Sequence, residues 1–143
     1  MGHYILVVED SLVDYEIVTR CLRKAGVDFP VRLCADGDLA LDLLVERKGD
    51  FSEFGYPSLI LLDLNLPGTD GRGVLKQLKG CEDTKNIPVI ILTTSNNVND
   101  VEACYDIGAN SYLQKPTVPE DYVAMAHAMK SFWFDWAHLP EVV

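Results

Sequence analysis

Positive charge is scarce in this chain: 12 Lys+Arg stand against 22 Asp+Glu, a formal charge of −10 over 143 residues. An anion of this strength repels nucleic acid and anionic lipid, so binding through a phosphate backbone is not expected. Long apolar runs are missing as well. No stretch approaches the roughly 18 residues of a membrane span, and the opening MGHYILVVED has no basic segment ahead of an apolar run too short for a signal peptide. Cysteine occurs only at Cys21, Cys34, Cys81 and Cys104, widely spaced and with no CxxC pair. Disulfides and zinc are therefore not expected, and small apolar thiols of a cytoplasmic protein are. His3, His127 and His138 show no metal spacing and no partner for nucleophilic catalysis. There is no internal repeat, no low-complexity tract and no linker that would divide the chain. What remains, 48% hydrophobic and 24% charged, is enough to fill the core of one domain spanning 1–143.

The strongest local signals are short apolar runs that end in polar residues. Tyr4–Val8 stops at Glu9-Asp10, Leu59–Leu62 at Asp63, and Val89–Leu92 at Thr93-Thr94. Continuous runs without alternation suit strands covered on both faces, as in a parallel sheet. Val31–Cys34 and Ser111–Gln114 are weaker members of the same set. Helical spacing fills the gaps. Ser11 is placed to cap a helix with the apolar stripe Val13, Ile17, Val18, Cys21 and Leu22. Leu39, Leu43 and Leu44 mark a second helix, Val74, Leu75 and Leu78 a third, and Val101, Cys104, Tyr105 and Ile107 a fourth closed by Gly108. Pro119 opens the last, which runs to Trp136. Five alternations of strand and helix predict an α/β three-layer sandwich on a parallel sheet. The long connection Lys48–Pro57 carries Phe51, Phe54 and Tyr56 and is expected to pack down as an ordered loop.

In open parallel sheets, ligands bind outside the carboxyl ends of the strands. Those ends carry Glu9, Asp10, Asp63, Thr93 and Lys115. Converging carboxylates raise one another's pKa unless a cation sits among them. Mg²⁺ answers that need, because it takes oxygen ligands from one or two carboxylates together with waters and phosphate. Lys115 adds a fixed positive charge for Asp63 or for a phosphoryl oxygen. A carboxylate is itself a competent nucleophile for phosphoryl transfer, and the transfer is mostly positioning and charge neutralisation. Asp63, at the end of the central apolar run, is the natural nucleophile. Glu9 and Asp10 then hold the metal, and Thr93 donates to a phosphoryl oxygen. Taken singly, each residue has a plainer role: an acidic pair after a strand is often a helix N-cap, and Asp63 alone could be a solvated strand end.

These motifs together resemble the receiver domain of a two-component response regulator. They are Glu9-Asp10, the stretch Asp63-Leu64-Asn65-Leu66-Pro67-Gly68-Thr69-Asp70-Gly71, Pro88–Thr93 and Tyr112-Leu113-Gln114-Lys115-Pro116. The match covers about residues 3 to 130. The resemblance implies a five-stranded sheet of order 2-1-3-4-5 with five helices. It implies Asp63 as phospho-acceptor, Mg²⁺ on Asp10, Asp63 and the backbone carbonyl of Asn65, and Glu9 acting through a metal-bound water. Thr93 becomes the switch hydroxyl and Tyr112 the aromatic that swings inward. Lys115 becomes the phosphate-pairing lysine, with a cis bond to Pro116. Asn65 and Ser95 stand where the family tunes access of hydrolytic water. Such a chain is a phospho-acceptor and not an enzyme in the usual sense, with autophosphorylation from small donors and autodephosphorylation expected. Glu9 departs from the commoner aspartate by one methylene.

LDLNLPGTDGRGVL, ILTTS and the tail SFWFDWAHLP are similar to small regulators paired with phytochromes. That similarity implies a stand-alone receiver, a histidine kinase of the phytochrome type as donor, and a homodimer through the last strand and helix. The tail supports an interface on its own. At 100° per residue Phe132, Trp133 and Trp136 share a stripe and Phe134 lies nearly opposite Phe132, so at least one large aromatic should stay exposed on a monomer. Two other classes fit the rim less well. A haloacid-dehalogenase-type phosphatase uses a second acid two residues after the nucleophile, where this chain has Asn65. A flavodoxin needs a Ser/Thr/Gly-rich loop where this chain has Glu9-Asp10. A receiver kept only as a scaffold is the third alternative.

Overall fold

A computed structural model of the chain describes residues 3–48 and 55–141. Five strands, β1 (Ile5–Val8), β2 (Val31–Cys34), β3 (Leu59–Leu62), β4 (Val89–Thr93) and β5 (Ser111–Gln114), form one sheet of order β2-β1-β3-β4-β5. Every pairing is parallel, with Val8 opposite both Cys34 and Leu62, and Thr93 opposite Gln114. Strand geometry turns each continuous apolar run into two faces. Ile5, Val7, Leu59, Leu61, Ile90 and Leu92 point to one side, where α1 (Leu12–Lys24) and α5 (Pro119–Met129) supply Val18, Leu22, Tyr122 and Met129. Leu6, Val8, Ile60, Leu62, Val89 and Ile91 point to the other, against α2 (Gly37–Leu44), α3 (Gly71–Gly80) and α4 (Val98–Ile107). Each fully buried Leu or Ile contributes roughly 1.5–3 kcal/mol, so the central strands anchor the fold.

The helix starts follow the cap chemistry. Ser11 Oγ accepts from the amide of Asp14 at 3.2 Å, as expected. Asp36 and Asp70 do the same for α2 and α3, accepting from Leu39 and Gly73. Gly108 closes α4 with φ 127°, and Pro119 opens α5. Three residues of the expected stripes face water instead: Val13 on α1, Leu39 on α2 and Tyr105 on α4 are exposed. Val13 and Leu39 stand in the first turns of their helices, and Tyr105 near the end of α4. The four cysteines are free thiols, Cys34 and Cys104 buried and Cys21 and Cys81 half-buried. Tyr56 is half-buried beneath the Arg47 guanidinium, 4.3 Å from its ring centroid. Phe51 and Phe54, expected to pack with it, lie outside the described residues. Among the described residues no helix is long and apolar enough to cross a membrane.

The last helix is not α-helical to its end. It changes at Lys130 to a π-helix, Lys130–Trp136, in which the Ala137 amide bonds the Phe132 carbonyl at 2.8 Å. Its i,i+5 spacing matches the ion pair between Lys130 and Asp135. The slower rotation per residue redistributes the aromatics. Trp133 and Phe134 turn inward against the α1–α5 core, with Phe134 edge-on to Phe29 at 5.0 Å, while Phe132 and Trp136 stay 59% and 80% exposed. The single stripe of Phe132, Trp133 and Trp136 expected for an α-helix is therefore corrected.

Candidate functional site

Parallel register delivers the chemistry to one rim. The amide of Asp63 donates to Val8 carbonyl at 3.0 Å and that of Glu9 to Cys34 carbonyl at 2.9 Å, so the residues after β1 and β3 lie side by side. The amide of Lys115 donates to Thr93 carbonyl at 2.7 Å, which brings the end of β5 beside that of β4. Glu9, Asp10 and Asp63 converge, with a carboxylate oxygen from each within 4.8 Å of the others. Glu9 and Asp63 are buried and Asp10 is exposed. An all-oxygen set with one exposed member suits a hard divalent cation, so the residues present fit the metal expected from sequence.

Lys115 is the electrostatic centre of this rim. Its Nζ lies 2.6 Å from Glu9 Oε1, 2.8 Å from Asp14 Oδ2 and 2.9 Å from Asp63 Oδ2. Burial opposes the ammonium charge, but its bonds to the carboxylates of Asp14, Asp63 and Glu9 outweigh it and hold the group above the ordinary lysine range. Asp63 shows the reciprocal effect. Burial would raise its carboxyl, yet the Lys115 ammonium, the Thr93 hydroxyl and the Asn65 amide together more than offset this and hold it below the usual aspartate value. The amide of Asn65 also donates to Asp63 Oδ1 at 3.2 Å. Glu9 goes the other way: burial pushes it up to about 7, although Lys115 and the Ser11 amide pull against the rise. Two neighbouring carboxyls thus differ in proton affinity because Asp63 is better compensated for its burial.

Thr93 is fully buried, and its Oγ1 completes no hydrogen bond of ordinary geometry, although the hydroxyl is near enough to favour the charged form of Asp63. An orphaned donor beside a buried carboxylate is a group with room for a further acceptor. Tyr112 is half-buried, and its hydroxyl donates to the Ser95 carbonyl at 2.9 Å. Ser95 Oγ in turn donates to Asp100 Oδ2 at 2.7 Å, and Asp100 is ion-paired with Arg72. The expected cis bond at Lys115-Pro116 is absent: the described residues contain no cis peptide, and the trans form, favoured by about 0.5–1 kcal/mol for X–Pro, already lets Lys115 reach Asp63.

The residues expected at the rim from sequence, Glu9, Asp10, Asp63, Asn65, Thr93 and Lys115, are thus brought together. Phe132, Trp133, Phe134 and Trp136 lie on the distant C-terminal segment. Sequence reasoning missed Asp14, which contacts Lys115 as closely as Asp63 does, and the Arg72–Asp100 pair that holds Ser95. Asp14 had a readable signal. It follows Asp10 by four residues in the first turn of α1, where a side chain faces the strand ends.

A family model described as the response regulator receiver domain matches residues 5–127. Response regulator Rcp1 of Synechocystis sp. is 41% identical over 136 residues, a span that takes in 95% of this chain and 92% of the relative. The crystal structure of the Mn²⁺-bound form of Rcp1 superposes with a TM-score of 0.90 at 39% identity, covering 98% of this chain and 100% of that one. The phosphorylated cyanobacterial phytochrome response regulator RcpA superposes with a TM-score of 0.91 at 35% identity, again covering 98% and 100%.

Proposed function

The chain belongs to the response regulator receiver family of two-component signalling, and on that premise we propose that Asp63 accepts a phosphoryl group from a sensor histidine kinase with Mg²⁺ bound. The observation that carries this is the rim itself: a buried, ionised Asp63 beside two further carboxylates, paired with Lys115 and flanked by an unsatisfied hydroxyl. Glu9, Asp10, Asp63 and the Asn65 carbonyl are the groups that would hold the cation, whose charge neutralises the phosphoryl oxygens. Asp63 presents the attacking oxygen. Lys115 pairs with a phosphoryl oxygen, and Thr93 Oγ1 gains the acceptor it lacks. Movement of Thr93 shifts the segment that binds Tyr112 through Ser95, carrying a local change to the face of α4, β5 and α5. A net charge of −10 favours output through protein contacts over nucleic acid.

Incubation with Mg²⁺ and acetyl phosphate, followed by intact mass and peptide mapping, tests this. One phosphoryl group on Asp63 is the expected result; modification that is absent, or that needs no Mg²⁺, overturns it. The likeness to RcpA supports a phytochrome-type kinase as the donor, to be checked by phosphotransfer from such a kinase.

Cation affinity should depend on pH. A protonated Glu9 is neutral and cannot ligate, so the metal must displace a proton bound with a pKa of about 7. Affinity is expected to weaken as pH falls below that value, approaching about tenfold per pH unit for one proton. Calorimetry near pH 6.5 in buffers of different ionisation enthalpy should register proton release. An affinity that stays flat down to pH 6 would remove Glu9 from the site.

The exposed pair Phe132 and Trp136 supports a homodimer on the β5–α5 side. Replacing both by alanine leaves Trp133 and Phe134 packed on their own chain. The double variant should elute as a monomer with its melting temperature nearly unchanged. Light scattering that shows wild-type protein already monomeric, before and after phosphorylation, would refute the interface.

A further inference from the structure

The Lys115 ammonium is already crowded with acceptors. It has three donors and three short contacts: it donates to Asp14 Oδ2 and Asp63 Oδ2 and is ion-paired with Glu9 Oε1. A phosphoryl group on Asp63 brings new acceptor oxygens and, once the carboxylate's own charge is taken up in the acyl bond, about one further negative charge. For Lys115 to pair with them, an existing contact has to give way. The three acceptors are not equivalent in this respect. Glu9 and Asp63 are each 5% exposed at the side chain, and a buried carboxylate stripped of its partner is strongly destabilising. Asp14, in the first turn of α1, is 29% exposed. Water can replace the ammonium at Asp14 and cannot do so as readily at the other two.

We infer that Asp14 is a positioning residue that tethers Lys115 in the unmodified protein and releases it to the phosphoryl group, so that the Asp14–Lys115 ion pair limits how fast Asp63 is phosphorylated. The inference rests on the phospho-acceptor role proposed for Asp63. In the transfer, an Asp63 oxygen forms a bond to phosphorus as the bond from phosphorus to the donor's bridging oxygen breaks. With acetyl phosphate as donor, acetate leaves with that electron pair and no proton moves. Asp14 touches none of these atoms. It acts in two ways, both against transfer: its charge repels the incoming anionic donor, and it occupies the one Lys115 proton that is cheapest to free. In exchange it keeps a buried ammonium in place while no phosphate is present. Among the described residues, no other group combines direct contact with Lys115 and this access to water.

Time courses of phosphorylation by acetyl phosphate with Mg²⁺, read by intact mass, test this in the wild type and in Asp14→Ala, Asp14→Asn and Asp14→Glu. Asp14→Ala is expected to react on the order of fivefold faster. Asp14→Asn, which keeps an acceptor without the charge, should fall between. Asp14→Glu should return to near the wild-type rate. A purely structural role would change the melting temperature without this order of rates. The ¹⁵N resonance of Lys115 Nζ supplies a second readout, shifted in Asp14→Ala and restored in Asp14→Glu. A rate for Asp14→Ala equal to or below that of the wild type overturns the tether while leaving Asp63 as acceptor. A wild type that gains no phosphoryl group at all overturns the acceptor role itself, and the tether with it.

Discussion

Asp63→Asn is expected to abolish phosphoryl incorporation completely while leaving the fold in place. The carboxamide has nearly the shape of the carboxylate but no nucleophilic oxygen, so no rate survives that could be rescued by more donor. The surroundings explain why the protein should still fold. Lys115 keeps its contacts to Glu9 and Asp14, and the Asn65 amide keeps an oxygen to bond. The remaining stability effect has a definite sign. Asp63 is held below its ordinary value of 3.8 because Lys115, with Thr93 and the Asn65 amide, outweighs the burial that would raise it. A carboxyl depressed in the folded state contributes stability above its unfolded pKa and loses it as pH falls through the folded one. The variant should therefore melt somewhat below the wild type at pH 7, with the gap closing in strong acid. Phosphate found on Glu9 or Asp10 in Asp63→Asn would move the acceptor to a neighbouring carboxylate. A variant that fails to fold would show that the Asp63–Lys115 pair is structural before it is chemical.

Most of this site could be read from the sequence because strand ends are points where two independent signals coincide. An apolar run must stop where cover stops, and a polar residue just past that point must face the rim. Glu9, Asp63, Thr93 and Lys115 all satisfied both conditions, and the parallel register then aligned them. Asp14 satisfied only the second. It lies inside a helix, and its approach to Lys115 joins residues 101 apart, which no local pattern encodes. The Arg72–Asp100–Ser95 chain is hidden for the same reason, since it links α3 to α4 across a loop. The tail failed differently. A 100° rotation per residue was assumed, whereas the Lys130–Asp135 pair and the packing of Phe134 on Phe29 accompany a wider turn that moves Phe134 inward. Side-chain volume cannot reveal that change from sequence. It depends on what the helix meets.

Gly71→Ala is expected to be strongly damaging, and its reason is steric. Gly71 opens α3, and its amide donates to the Leu64 carbonyl at 3.0 Å, holding the helix start against the segment that leaves β3. A Cβ added there would lie 2.2 Å from the carbonyl oxygen of Asp63 and 2.6 Å from the Cα of Leu64. Both are backbone atoms, so no rotamer change relieves the overlap; either α3 withdraws or the chain at Asp63 moves. Withdrawing α3 opens the core around Val74, Leu75 and Leu78, all fully buried. Moving Asp63 breaks the geometry that sets its contact with Lys115. The cost should be at least about 3 kcal/mol, or roughly 10 °C in melting temperature for a chain of this length. The phosphorylation rate should fall even at temperatures where the variant is folded. Gly80→Ala, at the other end of the same helix, is the control. Nothing lies within 4 Å of a Cβ placed there, so the loss of backbone freedom in the unfolded chain dominates and the variant should gain about 0.5–1 kcal/mol. Equal melting temperatures for the two variants would show that the helix start yields cheaply, and that close approach at Gly71 does not position Asp63.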